Sequence, residues 1–581
     1  MRRIKFLLGA TIFYLFWLNF FILMIRSQAN PVSLQIFKNE AFFGQEISHQ
    51  YIYHVSKECA PLVTFGGVGQ MLGDLVDAQA STLTNTSIVV ILPNYGFLEP
   101  AEVIARVSYT FASREVHTDI SFVRYGNGLL FFLVSPPSNH PLLWSGTHVE
   151  DAYNLPKGMK ADTRDVYFSF IAGEIIKARL TRRPNRSVYV HSHGATNAPV
   201  NYFLRLSVPS RNLRLIYTAH DYNSEPYITY RSTEVKKYAP PPLNCYRPAK
   251  FTSHPTSILY GCNPLKNNPE AQTMCVSGKH TLHSPYFVSC ADAFSTVSSG
   301  TKSNLMQAQR DFAVLLLNFE KSRYVQVRTI GNWVSNELWS SARERISLEE
   351  PFRCKNEAKL QFSSVFRKYG VGSFGTDACV VGWTGRFEQN KGSRLLPSIL
   401  QVVCDAGCVL AISGHSTNSK MQKYFETVTL RQLKNIHREK SCSFMILGTK
   451  EDQRSHSMVI RSATDITIVP SYSEGFGLVA AEALAFGSIP VVSEVGGLPD
   501  IIRPLKEVDD GIWTGLQFPI FDNNEEVTSL SLSVCLSKAI TFFKSAQASN
   551  SLGVLQKRLI GSTPLRDESL GQYLSLYQLV D

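Results

Sequence analysis

Residues 473–500 read SEGFGLVAAEALAFGSIPVVSEVGGLPD, and two glutamates, Glu474 and Glu482, bracket seven residues that begin Gly475-Phe476-Gly477. The preceding apolar run, DITIVP, reads as a buried parallel strand, and LVAAEALAF reads as a helix of Ala, Leu and Glu. Glu474 is thereby placed on a strand-to-helix loop, and Glu482 one to two turns into the helix. Glycines at 475 and 477 let the backbone come close to a ligand. A helix N-terminus adds unpaired N–H groups and a positive dipole end, which suit a phosphate. Two lone glutamates would be ordinary surface acids; the Gly-Phe-Gly between them and the Gly496-Gly497 turn after the next strand point to a ligand loop.

Working outward, alternation of strands and helices continues in both directions. Tyr51 to Val55 reads as a strand that leads through Thr64-Phe65-Gly66-Gly67 into a helix, with Val68, Met71, Leu72, Leu75 and Val76 at helical spacing. Strand-like runs SIVVILP, LLFFLVS, SVYVHSH and LRLIYTAHD follow, interleaved with helical stretches such as VYFSFIAGEIIKARL. A second series begins near Cys379 with CVVGWTGRFEQNKGSRLLPSIL, then CVLAISG, SFMILG, DITIVPS and IPVVS. This alternation argues parallel α/β sheets, and two doubly wound units place a ligand in the cleft between them. Residues 222–290, with Pro240-Pro241-Pro242 and scattered Gly, Asn and Cys, break the rhythm and read as an insertion.

With 581 residues, 44% hydrophobic and 18% charged, the chain is an ordinary globular protein too long for one core. A net charge of +11 is spread thinly: no Lys/Arg run exceeds a pair, and no nucleic-acid-binding pattern focuses it. The expected division is a cytosolic tail and anchor (1–27), a stem (28–48), a first Rossmann-like domain (49–330), a second (331–560) and a C-terminal tail (561–581).

The anchor reading rests on the apolar run from Phe6 to Ile25, interrupted only by Gly9, Thr11 and Asn19. About 20 residues at 1.5 Å each span the roughly 30 Å hydrocarbon layer. Arg2, Arg3 and Lys5 precede it and Arg26 follows, which puts the N-terminus in the cytosol and the remainder in the lumen of the Golgi or ER. A cleaved signal peptide, with secretion, is the alternative. The sequons at Asn85 and Asn185 agree with a lumenal location. In an oxidising lumen, Cys245, Cys262, Cys275 and Cys290 are the expected place for a disulfide.

In order along residues 50–503, several stretches resemble retaining glycosyltransferases with two Rossmann-like halves facing a cleft, the GT-B arrangement. SKECAPLVTFGGVG, VHSHG and FSTVS with IGNWVSNELW are similar to the starch/glycogen synthases, while GRFEQNKG and the Glu474–Glu482 signature are similar to the broader family. The resemblance implies that Arg386 and Lys391 hold the donor diphosphate, that Glu474 orients the donor sugar and Glu482 the ribose, and that Gly66, Gly67, Gly475, Phe476 and Gly477 line the donor site. It also implies that His193 contacts the donor sugar in the cleft, with His220 second in rank. His191 and His193 are expected on opposite strand faces, which disfavours a metal site from that pair. No Asp-x-Asp motif is present, and metal-independent chemistry with no cofactor is expected.

Two departures qualify the resemblance. Starch and glycogen synthases carry a lysine before the first glycine pair, where this chain has Thr64-Phe65, and follow the His-x-His with Asp-Trp-His, where it has Gly194-Ala195-Thr196. The implied activity is transfer of a hexosyl group, glucosyl above others, from a nucleotide sugar to a glycan acceptor. A UDP-sugar is favoured over ADP-glucose. The alternative is a non-catalytic relative that keeps the fold as a glycan-binding or scaffolding subunit.

Overall fold

The computed structural model describes residues 32–578, except 44–48, 140–143, 145–159, 209–211, 222–227, 239–280, 317–325, 505–512 and a few shorter stretches. In the N-terminal half, the parallel part of a ten-stranded sheet runs, in spatial order, Leu129–Val134, Thr86–Pro93, Gln50–Val55, Ser187–His193, Leu213–Ala219, Ala293–Thr296 and Gln326–Thr329. The central ones, such as Leu129–Val134, Thr86–Pro93 and Leu213–Ala219, are largely apolar and buried, as strands covered on both faces must be, whereas Gln326–Thr329 at the edge is polar and partly exposed. On one edge the sheet turns antiparallel through Arg114–Tyr125 and Glu102–Phe111 and ends on Val32–Ile36.

In the C-terminal half a seven-stranded sheet has the order Gly370–Val371, Ser443–Leu447, Val409–Ser413, Val380–Thr384, Ile466–Val469, Ile489–Ser493 and Leu516–Phe518. Apart from the antiparallel first strand, this is the doubly wound order 3-2-1-4-5-6. Strand order reverses between Gln50–Val55 and Ser187–His193 in one sheet, and between Val380–Thr384 and Ile466–Val469 in the other. Loops leaving these reversal points meet across one cleft.

Three segments differ from the sequence reading. The stem contributes to the fold: Val32–Ile36 pairs with Glu102–Phe111, and Phe42 and Phe43 are buried in the N-terminal core. The C-terminal stretch is no loose tail, because Arg566–Gln578 is a helix whose Leu570, Tyr573, Leu576 and Tyr577 complete the core of the N-terminal half. Of the insertion, residues 239–280 lie outside the described residues. Its two ends pair as a ribbon, Thr229–Arg231 with Thr281–His283.

The apolar run from Phe6 to Ile25 also lies outside the described residues, as do Cys245, Cys262 and Cys275. Among the described residues one helix, Glu525–Ala548, is long and apolar enough to cross a membrane. It buries Leu532, Leu536, Ala539, Ile540 and Phe543 in the C-terminal core, as a core helix does. A disulfide that the sequence did not announce joins Cys404 to Cys442.

Candidate active site

Strand Val380–Thr384 ends in a loop and a short turn, Gln389–Lys391, that carries Lys391. Strand Ile466–Val469 ends in the loop that carries Glu474. The two loops are tied together by the Tyr472 N–H, which donates to the Asn390 carbonyl at 2.9 Å. Lys391 Nζ then sits 2.6 Å from Glu474 Oε2, and Ser471 Oγ donates to the same oxygen at 3.1 Å. Gly477, at φ +110°, caps the helix Leu478–Ala485; a side chain there would be strained and would also run into Leu498.

The halves are closed on one another. Ser298 Oγ and Thr301 Oγ1 donate to the Gly475 carbonyl at 2.6 and 2.9 Å, and the Ser299 N–H donates to Asp500 at 2.6 Å. Gly475 lies so close to the His220 carbonyl that any side chain at 475 would collide with it. Between the halves remains a cleft of 260 Å³ whose walls include Gly67, His220, Asn332, Thr384, Lys391, Glu474 and Gly475 to Gly477. Asn332 Oδ1 is buried in this wall without a hydrogen-bond partner. Such an acceptor is satisfied by a donor entering the cleft, from a ligand or from water.

Of the residues singled out by sequence, the cleft thus gathers Lys391, Glu474, Gly475, Phe476, Gly477 and Gly67. Arg386 is not among its walls: its side chain is 54% exposed and lies 3.5 Å from Glu388. Glu482 accepts from Arg461 at 2.9 Å and lines a small neighbouring cavity, which shares Thr384 and Val479 with the cleft. The Gly66 N–H is taken by Glu58 Oε2 at 3.1 Å. Asn332 was missed; a polar residue inside the apolar turn TIGNWV was the available signal.

His193 is buried, with Nε2 3.0 Å from His54 Nδ1 and Nδ1 3.1 Å from His220 Nε2. His220, not His193, is in the cleft wall. The expectation for His191 and His193 is corrected as well: residues two apart on a strand share a face, and their rings stack with centroids 4.1 Å apart. His54, His191 and His193 come close enough to hold a metal ion. Their ring nitrogens are already engaged by one another and by Gln79, Thr218, His220 and Tyr577. Burial pushes His54 and His220 down to about 4 and His191 and His193 well below the ordinary histidine value, so all four rings are neutral near pH 7.

Two doubly wound sheets whose reversal points face one cleft are the GT-B arrangement. Residues 51–313 match the family described as starch synthase catalytic domain, and residues 373–526 match glycosyl transferases group 1. By these two matches and by fold, the chain is a starch/glycogen synthase-like GT-B glycosyltransferase. A probable starch synthase 4 (chloroplastic/amyloplastic) of Arabidopsis thaliana is 22% identical over 80% of this chain and 41% of its own length. Glycogen synthase 2 of Agrobacterium fabrum is 24% identical over 43% of this chain and 46% of its own length. The chain therefore spans less than half of these two relatives, whereas it spans 86% of the glycogen synthase of Chlamydia trachomatis serovar L2, at 22% identity over 78% of this chain. Among solved structures, the catalytic domain of Arabidopsis thaliana starch synthase IV bound to ADP and acarbose superposes with TM-score 0.68 at 19% identity, covering 92% of this chain and all of that one. Sucrose-phosphate synthase from Thermosynechococcus elongatus superposes at TM-score 0.53 and 16% identity, over 91% of this chain and 98% of that one.

Proposed function

We propose that the chain is a retaining glycosyltransferase that moves a glucosyl group from a nucleoside-diphosphate sugar, a UDP-sugar before ADP-glucose, to a glycan acceptor. The observation that carries this reading is the Lys391–Glu474 pair at the facing reversal points, beside the N-terminus of the helix Leu478–Ala485. When the glycosidic bond breaks, negative charge grows on the bridging phosphate oxygen. A fixed ammonium in a closed cleft stabilises that charge, and Glu474 accepts hydrogen bonds from the sugar hydroxyls. In this mechanism the departing phosphate takes the acceptor's proton on the same face, which retains the anomeric configuration.

Glu482, in a cavity of about 20 Å³ that shares Thr384 and Val479 with the cleft, is the candidate for the ribose once the halves part, and Arg386 swings inward to reach the diphosphate. The closed cleft of 260 Å³ is smaller than the roughly 300–1,000 Å³ of ligand pockets; the halves part to admit the donor. A second cavity of 860 Å³ on the other side of the Glu474 loop, with Arg394, Tyr472, Glu494 and Asp500 in its walls, offers room for a sugar chain.

The protein is further proposed to be anchored through residues 6–25, with the catalytic halves in the lumen. Exposed Asn85 and Asn185 and the Cys404–Cys442 disulfide support an oxidising compartment. Alkaline extraction of membranes should leave the full chain in the pellet, and recovery as a soluble protein would end the anchor reading.

A non-catalytic glycan-binding subunit is the second reading. It is favoured by Thr64-Phe65 in place of the family's lysine and by the capture of the Gly66 amide by Glu58. Purified full chain incubated with a panel of nucleotide sugars decides between them. Hydrolysis or transfer from a UDP-hexose is expected; absence of binding and turnover with every donor transfers the assignment to the second reading.

A further inference from the structure

A single hydrogen-bonded chain runs through the N-terminal core from the C-terminal helix to the cleft wall. Gln79 Nε2 donates to Tyr577 Oη at 3.0 Å, and Gln79 Oε1 lies 2.8 Å from His54 Nε2. An amide oxygen only accepts, so His54 carries its proton on Nε2 and offers a lone pair at Nδ1. His193 Nε2, 3.0 Å away, must therefore be the donor, which leaves its Nδ1 as an acceptor for His220 Nε2 at 3.1 Å. On the other side Tyr577, having accepted from Gln79, donates to His191 Nδ1 at 2.9 Å. His191 Nε2 then donates to Thr218 Oγ1 at 2.6 Å, and Thr218 to Ser295 Oγ at 2.5 Å.

Every donor in this series meets an acceptor, in one direction, with the rings neutral. A second proton on either of the two histidines between His220 and Gln79, His193 and His54, would set two donors against each other. The series is enclosed: His54, Gln79, His191, His193 and Thr218 are at most 2% exposed, and it comes to the ligand space only at His220.

We propose that Tyr577 is a positioning residue for the cleft: by closing this chain it holds His193 and His220 in single tautomers and fixes the His220 ring in the cleft wall. Gln79 and His54 are the links. The proposal rests on the transferase reading for its catalytic consequence, though not for its structural content. It makes the seating of the helix Arg566–Gln578, which packs on the helix Gly67–Thr82, a determinant of the site more than 350 positions earlier in the sequence.

The test uses the full chain labelled with ¹⁵N-histidine, wild type and Tyr577→Phe, a change that keeps the ring and removes only the hydroxyl. Imidazole ¹⁵N shifts report the tautomer of each ring. In the wild type, His193 and His220 should each give the pattern of a single Nε2–H tautomer. In Tyr577→Phe they should shift towards a mixture, while kcat falls about tenfold, the scale of one lost hydrogen bond, and the donor KM stays within about twofold. Should Tyr577→Phe fail to fold, Gln79→Met cuts the same chain from inside and is read the same way. Signals of His193 and His220 that stay at their wild-type positions in the folded variant would overturn the proposal, whatever the turnover. A wild type that turns over no nucleotide sugar would fail the transferase reading alone, since the tautomer signals still decide the positioning role.

Discussion

Lys391 and Glu474 neutralise each other in the cleft, and the pair is only partly screened, with side chains 23% and 16% exposed. Under the proposed mechanism a diphosphate would compete with the carboxylate for the ammonium, and Lys391 would then offer its charge to the leaving group. Lys391→Ala and Glu474→Gln should each lower turnover by roughly 10²–10³ in steady-state assays, the loss measured for one preorganised charge-stabilising group. Melting temperatures close to wild type should accompany the loss, and full activity in either variant would remove the pair from the mechanism. Across the cleft, a Cβ added at Gly67 would lie 3.1 Å from Leu478 Cδ1, whereas Thr64 is exposed. Gly67→Val should therefore raise the donor Kd in a binding titration, and Thr64→Ala should leave it unchanged; equal effects would show that the loop does not face the donor.

The strand Ser187–His193 and its neighbours gather neutral histidines, and this has a signed consequence for stability. The folded-state pKa of His54 and of His220 is about 4, below the ordinary 6.5, because burial disfavours the charged ring. The unfolded chain then binds more protons than the folded one between pH 6.5 and 4. Stability is complete above pH 6.5 and is lost as pH falls through that window, by about 1.4 kcal/mol per unit for each ring. Asp74, pushed up to about 6 by burial, acts in the opposite sense over pH 6 to 3.8 and offsets one of them. The melting temperature should thus drop steadily from pH 7 to pH 5; a flat or rising profile would contradict the buried neutral rings. At Cys404–Cys442 the cross-link spans 38 residues, a loop for which chain entropy gives about 4 kcal/mol. Non-reducing peptide mapping should recover the linked pair, and reduction should lower the melting temperature. Recovery of both as thiols from folded protein would refute the link. The alternation that revealed the parallel strands reads only one element at a time. It placed Glu474 on its loop, yet it could not foresee that Gln79, His54 and Tyr577 converge, because they share no local pattern.

At the scale of the whole molecule, the two doubly wound halves and their cleft were legible because strand, loop and helix recur with buried strands at short range. The antiparallel edge, the structured stem and the returning helix were not, because each owes its place to partners distant in sequence. That helix buries Leu570, Tyr573, Leu576 and Tyr577 in the N-terminal core. At about 1.5–3 kcal/mol for each large apolar side chain, their loss approaches the roughly 5–15 kcal/mol that holds a typical domain together. A chain ending at residue 565 should accordingly lose its cooperative thermal transition and bind hydrophobic dyes, and a truncated protein that melts as the full chain does would show the helix to be dispensable. The same return path bears on the order of events during synthesis. Translation adds about 5–20 residues per second, so the first half leaves the ribosome some 12–50 seconds before Tyr577 is made. Throughout that interval its core lacks a wall, and the apolar surface that Leu570, Tyr573, Leu576 and Tyr577 will cover stays open until residues 566–578 arrive.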